Sequence, residues 1–196
     1  MTDRDADTEL VARARAGERA AFDLLVERYQ GRLLRLARRL LRDQAEAEDV
    51  VQETFLKAYR ALPRFRGEAA FYTWLYRIAI NAARNAIMNR GRRGGVPPAA
   101  AAPAVAPEDA LAEIATPESM LLSKQVMQAV DAAMDALPLE LRTAIVLREI
   151  EGLSYEEIAQ IMQSPLGTVR SRIFRAREAI ARRLRPLLDL PVDKRW

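Results

Sequence analysis

Five of the twelve aromatic residues in this chain, Phe65, Phe71, Tyr72, Trp74 and Tyr76, crowd into one short stretch with Arg64, Arg66 and Arg77 between and around them. Aromatic faces beside cations suit an unpaired nucleic-acid strand, because any base can stack and the guanidinium groups neutralise phosphates. The same rings could instead close a buried cluster. A helix turns only one face to a core, so the pattern predicts that some of them are buried and others are available. A second concentration of chemistry is Arg170, Arg172, Arg175, Arg177, Arg182, Arg183 and Arg185, among which Glu178 is the single acid. Arginine grips guanine edges bidentately in a major groove and pairs with phosphates beside it. A solvated basic helix is the plainer alternative.

A third set, Asp49, Gln52 and Glu53, sits beside Val50, Val51 and Phe55, and reads either as a protein docking patch or as an ordinary amphipathic face. Catalysis is disfavoured. The 196-residue chain has no cysteine and no histidine, which removes thiolate nucleophiles, disulfides, zinc fingers and the usual imidazole base together. Paired acids such as Glu46, Glu48 and Asp49 could serve a helical enzyme, but metal sites of that kind draw histidines and carboxylates from several helices. No catalytic residue, metal ligand or cofactor is therefore assigned. The amino terminus lacks an apolar signal core and no run approaches the roughly 20 apolar residues that span a bilayer, so a cytoplasmic protein is expected.

The elements that must position these groups are all helical. Thr8 to Ala16 reads as a short helix ended by Gly17. Glu18 to Leu41 follows, with Phe22, Leu25, Tyr29, Leu33, Leu36 and Leu40 at steps of three and four, and with Arg32, Arg35, Arg38, Arg39 and Arg42 on a face expected to be solvated, a secondary phosphate-contacting strip being the alternative. Asp43 can cap a helix from Ala45 to Leu62, which Pro63 stops. Arg64 to Glu68 is expected as loop, and Phe71 to Asn85 as helix. Further on, Glu118 to Leu137 and Leu139 to Glu151 are helical by pattern, with Gly152 closing the latter. Ser154 and Glu157 form a capping box. Gln163 to Gly167 breaks that helix, and Thr168 is expected to cap the next, whose apolar stripe is Val169, Ile173, Ala176, Ile180, Leu184 and Leu187.

Between Gly91 and Pro117 the composition turns to alanine, proline and glycine and reads as a linker, so the fold class is all-α with two helical domains. The net charge of +4 is unevenly spread: residues 121–165 carry three basic and seven acidic side chains, residues 166–196 nine basic and three acidic. That local basic end suits a polyanion at one surface.

With these segments in place the chain resembles bacterial RNA polymerase sigma factors of the extracytoplasmic-function group, sigma-E type. The resemblance rests on the run from Asp49 to Tyr59, on Phe65 through Asn81, and on Gly152 to Ala159 with Gly167 to Arg177. It implies that residues 1–90 are sigma region 2, 91–117 a flexible linker, 118–190 sigma region 4 with its helix-turn-helix, and 191–196 a tail. Asp49, Gln52, Glu53 and Leu56 then match the motif that grips the clamp helices of the polymerase β′ subunit, and region 4 implies contact with the β flap. Phe65, Arg66, Gly67, Glu68, Ala69 and Ala70 in the loop, with Phe71, Tyr72, Trp74, Arg77 and Asn81 in the helix, match the part that melts the −10 promoter element and holds its flipped bases. Pro165, Thr168, Arg170, Ser171, Phe174 and Arg175 match the −35 recognition surface.

Two departures from primary sigma factors carry consequences. Leu75 stands where one of a tryptophan pair would be, beside Trp74, and the first and third conserved domains are absent. Both imply weaker intrinsic melting and closer dependence on promoter sequence. Members of the group are commonly held inactive by an anti-sigma factor, often anchored in the inner membrane, so the expected location is the cytoplasm and nucleoid, with retention at that membrane through the partner. A stand-alone regulator, using the carboxy-terminal helices as a dimer on a palindromic operator, is the competing reading.

Overall fold

The computed structural model describes residues 3–92 and 117–188. Eight α-helices follow in order: α1 (Asp3–Arg15), α2 (Arg19–Leu41), α3 (Gln44–Ala61), α4 (Phe71–Arg92), α5 (Pro117–Asp135), α6 (Leu139–Glu149), α7 (Tyr155–Met162) and α8 (Leu166–Leu188), with a short 3₁₀ turn at Leu62–Arg64. Among the described residues there is no strand. Of the expected linker 91–117, Gly91 and Arg92 belong to α4 and Pro117 to α5, while residues 93–116 and the tail lie outside the described residues.

Local chemistry explains the boundaries. The Asp43 carboxylate accepts from the Glu46 amide at 2.9 Å and so opens α3. Gly17 and Gly152 take φ of 98° and 68° in the turns after α1 and α6, a region closed to most side chains. Arg42 ends α2 in the left-handed region at φ 65°. The capping box of α7 is complete: Ser154 Oγ accepts from the Glu157 amide at 3.2 Å and Glu157 Oε2 from the Ser154 amide at 2.8 Å.

The break after α7 differs from expectation. Gln163 itself takes φ 49° and ends the helix, and α8 begins at Leu166, so Gly167 and Thr168 lie inside α8. The Pro165 carbonyl accepts the first bond of α8, from the Val169 amide at 3.1 Å. Proline needs no amide partner there, which is why the helix starts directly behind it.

The first half packs α2, α3 and α4 around Leu25, Leu33, Leu36, Val50, Leu62 and Leu75, all buried. The second half packs α6, α7 and α8 around Leu147, Ile158, Ile161, Val169 and Ile173. The halves also meet each other. Arg39 Nη1 reaches Asp131 Oδ1 at 2.6 Å, and Arg42 Nε reaches Asp135 Oδ1 at 3.0 Å. The expected solvated arginine face of α2 is thus partly committed to α5. Arg142, buried at 8% exposure, donates from Nη1 to the Leu40 carbonyl at 3.2 Å and from its other nitrogens to the carbonyls of Met134, Asp135 and Leu137. A cation at the carboxyl ends of α2 and α5 meets both helix dipoles and fills their unpaired carbonyls.

Candidate functional site

On α3 the residues Asp49, Gln52, Glu53 and Leu56 are all exposed and, at spacings of three and four, share one face. Behind them Val50, Val51, Thr54 and Ala58 are buried, and the Thr54 hydroxyl donates to the Val50 carbonyl at 2.7 Å. Leu56 is 59% exposed, an apolar side chain held out beside acids. Glu53 pairs with Lys57 at 2.6 Å on the same helix, which holds its carboxylate along the face. Tyr59, three residues past Leu56 and 50% exposed, extends this face and makes an edge contact with Phe22 at 5.0 Å. The helical spacing could have flagged it.

The aromatic segment divides as its periodicity predicts. Phe71 and Tyr76 are buried, Phe65, Tyr72 and Trp74 are partly exposed, and Leu75 is fully buried. Phe65, Phe71 and Trp74 form one cluster, with centroid distances of 4.9 Å for Phe65–Trp74, 5.7 Å for Phe71–Trp74 and 6.1 Å for Phe65–Phe71. Since Leu75 packs in the core, its position contributes nothing to a second surface ring. In the loop, Arg66, Gly67 and Glu68 are exposed and Ala69 and Ala70 half-buried, with Gly67 at φ 74° making the bend.

Between this loop and α1 lies a recess of about 270 Å³, walled by Asp7, Val11 and Arg15 on one side and Phe65, Gly67 and Ala70 on the other. The contribution of α1 went unseen in the sequence, because it depends on tertiary packing. Asp7 is buried there and accepts from Arg28 Nη1 at 2.6 Å and from the Tyr29 hydroxyl. Burial first, then this hydrogen bond, pushes the Tyr29 hydroxyl well above its ordinary pKa and keeps it a donor.

Along α4 the expected residues do not share a face. Tyr72 and Tyr76, one turn apart, meet the second half: the Tyr72 hydroxyl donates to Glu157 and the Tyr76 hydroxyl to Glu151. Burial, and then the bond to Glu151, raises the Tyr76 pKa far above its usual value. Trp74 and exposed Asn81 fall on the opposite side by helical periodicity, and half-buried Arg77 is nearer to them than to Tyr72.

In α8 the correspondence is closer. Arg170, Ser171, Phe174 and Arg175 are exposed, Phe174 at 67%, while Val169, Ile173 and Ala176 are buried behind them. Pro165 is exposed and Thr168 half-buried at the head of the same helix. The cationic surface is narrower than the arginine count suggests, because Arg172 pairs with Glu140 at 3.1 Å and Arg177 with Glu149 at 2.6 Å. Tyr155 and Arg148 join the site from α7 and α6: the Arg148 guanidinium lies 4.9 Å and that of Arg170 5.9 Å from the Tyr155 ring centre. Their separation from α8 in the sequence hid them.

A helical pair with an outward polar-aromatic face, joined to a second helical unit with an exposed acidic-apolar strip, defines a helix-turn-helix protein of two units. The family model described as Sigma-70 region 2 matches residues 25–93, and that described as Sigma-70, region 4 matches residues 127–180. The chain is 52% identical over 193 residues to the RNA polymerase sigma-H factor of Pseudomonas aeruginosa, covering 96% of this chain and 98% of that protein. It is 50% identical to the ECF RNA polymerase sigma-E factor of Escherichia coli, covering 96% and 99%. Among solved structures, CnrH in complex with the cytosolic domain of CnrY is similar at TM-score 0.69 and 28% identity, over 93% of this chain and 99% of that one. The sigma factor RpoE of Bartonella quintana, in complex with the anti-sigma factor NepR, is similar at TM-score 0.65 and 27% identity, over 84% and 96%. This chain belongs to the extracytoplasmic-function group of the sigma-70 family.

Proposed function

We propose that this sigma factor is a dissociable initiation subunit that binds core RNA polymerase and directs it to selected promoters. In this reading Asp49, Gln52, Glu53 and Leu56 grip the β′ clamp helices, with Tyr59 widening the apolar part of the contact, and the second half meets the β flap. The loop from Phe65 to Ala70 and the ring cluster behind it take bases out of the −10 duplex. Flipping costs a few kcal/mol per base, so a preformed recess and stacking rings must offset it. Arg170, Ser171, Phe174 and Arg175 read the −35 duplex, with Pro165 and Thr168 at the helix head. No residue is assigned a catalytic role.

The observation that carries this reading is the outward face of α8, where four side chains suited to base edges and phosphates are exposed while Val169, Ile173 and Ala176 opposite them are buried in the core. We infer a cytoplasmic location with an anti-sigma partner that covers these surfaces, as the complexes of the related sigma factors suggest. No described helix is long and apolar enough to cross a membrane.

The test is transcription by purified core polymerase, with and without this protein, on a pool of promoter fragments whose products are sequenced. New start sites sharing two separated upstream elements are expected. If the protein neither bound core nor created new starts, yet bound a palindromic duplex alone, the stand-alone regulator would replace this account.

A further inference from the structure

The recess between α1 and the loop has both of its walls tied to one buried side chain. Tyr29 of α2 is only 3% exposed. Its hydroxyl donates to Asp7 on the α1 wall, and its ring packs on Phe71 of the loop wall with centroids 5.7 Å apart. Phe71 in turn meets Phe65 and Trp74, the other rings of the cluster. A single stiff aromatic with a polar tip therefore spans from one wall to the other. The α1 wall has few other moorings. Between residues 7 and 15 of that helix, Asp7 and Val11 alone are buried, so its position depends heavily on the Asp7 contact. A carboxylate lining a site for an anionic strand would ordinarily repel it. Here the charge of Asp7 is directed inward, paired with Arg28 Nη1 at 2.6 Å and bonded to the Tyr29 hydroxyl. Asp7 thus serves as an anchor for α1 and not as a contact for the strand.

We propose that Tyr29, acting through Asp7 and Phe71, sets the width of the recess that receives one unstacked base of the −10 strand, which makes α1 a working wall of that site. This rests on the assignment of the loop and ring cluster to the −10 element. Tyr29 is too deeply buried to touch the strand, so it is a positioning residue. A base held in a slot needs walls at a fixed separation before it arrives, because ordering them on binding subtracts from affinity. Releasing α1 removes one wall from the seated base, while phosphate contacts and bases held outside the recess are left as they were.

The probes are the −10 elements of the promoters selected in the transcription assay, as single strands, each intact or with an abasic site at one position in turn. Binding to the full chain is measured by fluorescence anisotropy. Each captured base should be marked by a loss of about tenfold, about 1.4 kcal/mol, when its position is abasic. Tyr29→Phe keeps the ring and frees α1. It should weaken the intact strand about tenfold and abolish the abasic difference at one of the marked positions, leaving the difference at the others. Asp7→Leu should act in the same way from the other end of the bond. Asp7→Asn, whose amide oxygen can still accept from the Tyr29 hydroxyl, should keep most of the discrimination. Melting temperature and −35 duplex affinity are followed in parallel, and Tyr29→Phe, which lacks one oxygen only, decides the matter if Asp7→Leu does not fold. A lower melting temperature with every abasic difference intact would overturn the proposal and leave Tyr29 a purely structural residue. Equal weakening of the intact strand and of all the abasic strands would overturn it as well, as a general loosening of the first half. If no abasic site weakened binding by the unsubstituted chain, base capture itself would fall, and the proposal with it.

Discussion

The two proposed DNA surfaces are built on opposite plans. The −35 face is one side of a regular helix: its readers stand at steps of one, three and four along α8, each exposed, and its support is the apolar stripe directly behind. The −10 face is assembled from a loop, a ring cluster, a recess shared with α1 and a helix flank lying under the second half. Reading a duplex needs a rigid rod that fits a groove, and a helix supplies it at once. Holding flipped bases needs concavity and stacking, which no single regular element offers. One surface is therefore complete in the free chain, and the other is irregular and partly covered.

The largest test of this contrast is Leu75→Ala. Leu75, next to Trp74 in the chain, is fully buried in the core, and removing it should cost about 2–5 kcal/mol of stability through the cavity left behind. Thermal unfolding should move down markedly, and strand capture should fall with it as the ring cluster loosens. Duplex affinity for −35, measured well below the new transition, should stay near its original value. A parallel loss of both affinities would show that the shared core couples the surfaces.

Arg175→Ala acts on the other side. Arg175 is exposed and, among the described residues, has no ion-pair partner, so its guanidinium is free to meet a base edge. Its loss should weaken −35 binding by about 1–3 kcal/mol on the matched duplex. Equal losses on matched and scrambled duplexes would reduce it to a phosphate contact and remove specificity from this face.

The same contrast decided what could be read from the chain beforehand. The helices, the Ser154–Glu157 box, the Asp43 cap and the outward set on α8 follow from spacing alone, because each depends on neighbours within a few residues. The separation of Tyr72 from Trp74 and Asn81 also follows from periodicity, yet grouping them by sequence motif concealed it. The α1 wall of the recess, the Tyr155–Arg170 contact and the capture of Arg39, Arg42 and Arg142 at the junction arise between residues far apart in the chain. The start of α8 lies three residues before the one a Thr168 cap implies, because Gln163 and not Gly167 takes the left-handed conformation and Pro165 opens the helix.

Gly67→Ala probes the irregular surface without touching its contacts. A Cβ at Gly67 would meet nothing within 4 Å, so any penalty comes from its φ of 74° alone. Holding an L-residue there costs roughly 1–2 kcal/mol, which the loop can escape by changing shape. Strand affinity should fall severalfold with −35 binding unchanged, and Gly67→Asn, which tolerates that region better, should recover part of the loss. Full activity of the alanine variant would mean the loop takes another shape when bound.

The smallest effect is expected at Ser154→Ala, where stability and recognition can be pulled apart. The hydroxyl accepts from the Glu157 amide at 3.2 Å, and its loss should cost about 1 kcal/mol at the start of α7. For a chain of this size that lowers the melting temperature by about 2–4 °C. Glu157 would keep its own half of the box, since its carboxylate still accepts from the Ser154 amide at 2.8 Å, and so it should keep its contact with Tyr72. Helix α7 braces α8 through Ile158, Ile161 and Met162, which this substitution leaves in place. Affinity for −35 should therefore change less than twofold, an effect within about 0.4 kcal/mol. A loss as large as that of Arg175→Ala would mean that the start of α7 meets the duplex itself, and that the −35 surface extends beyond the single helix face.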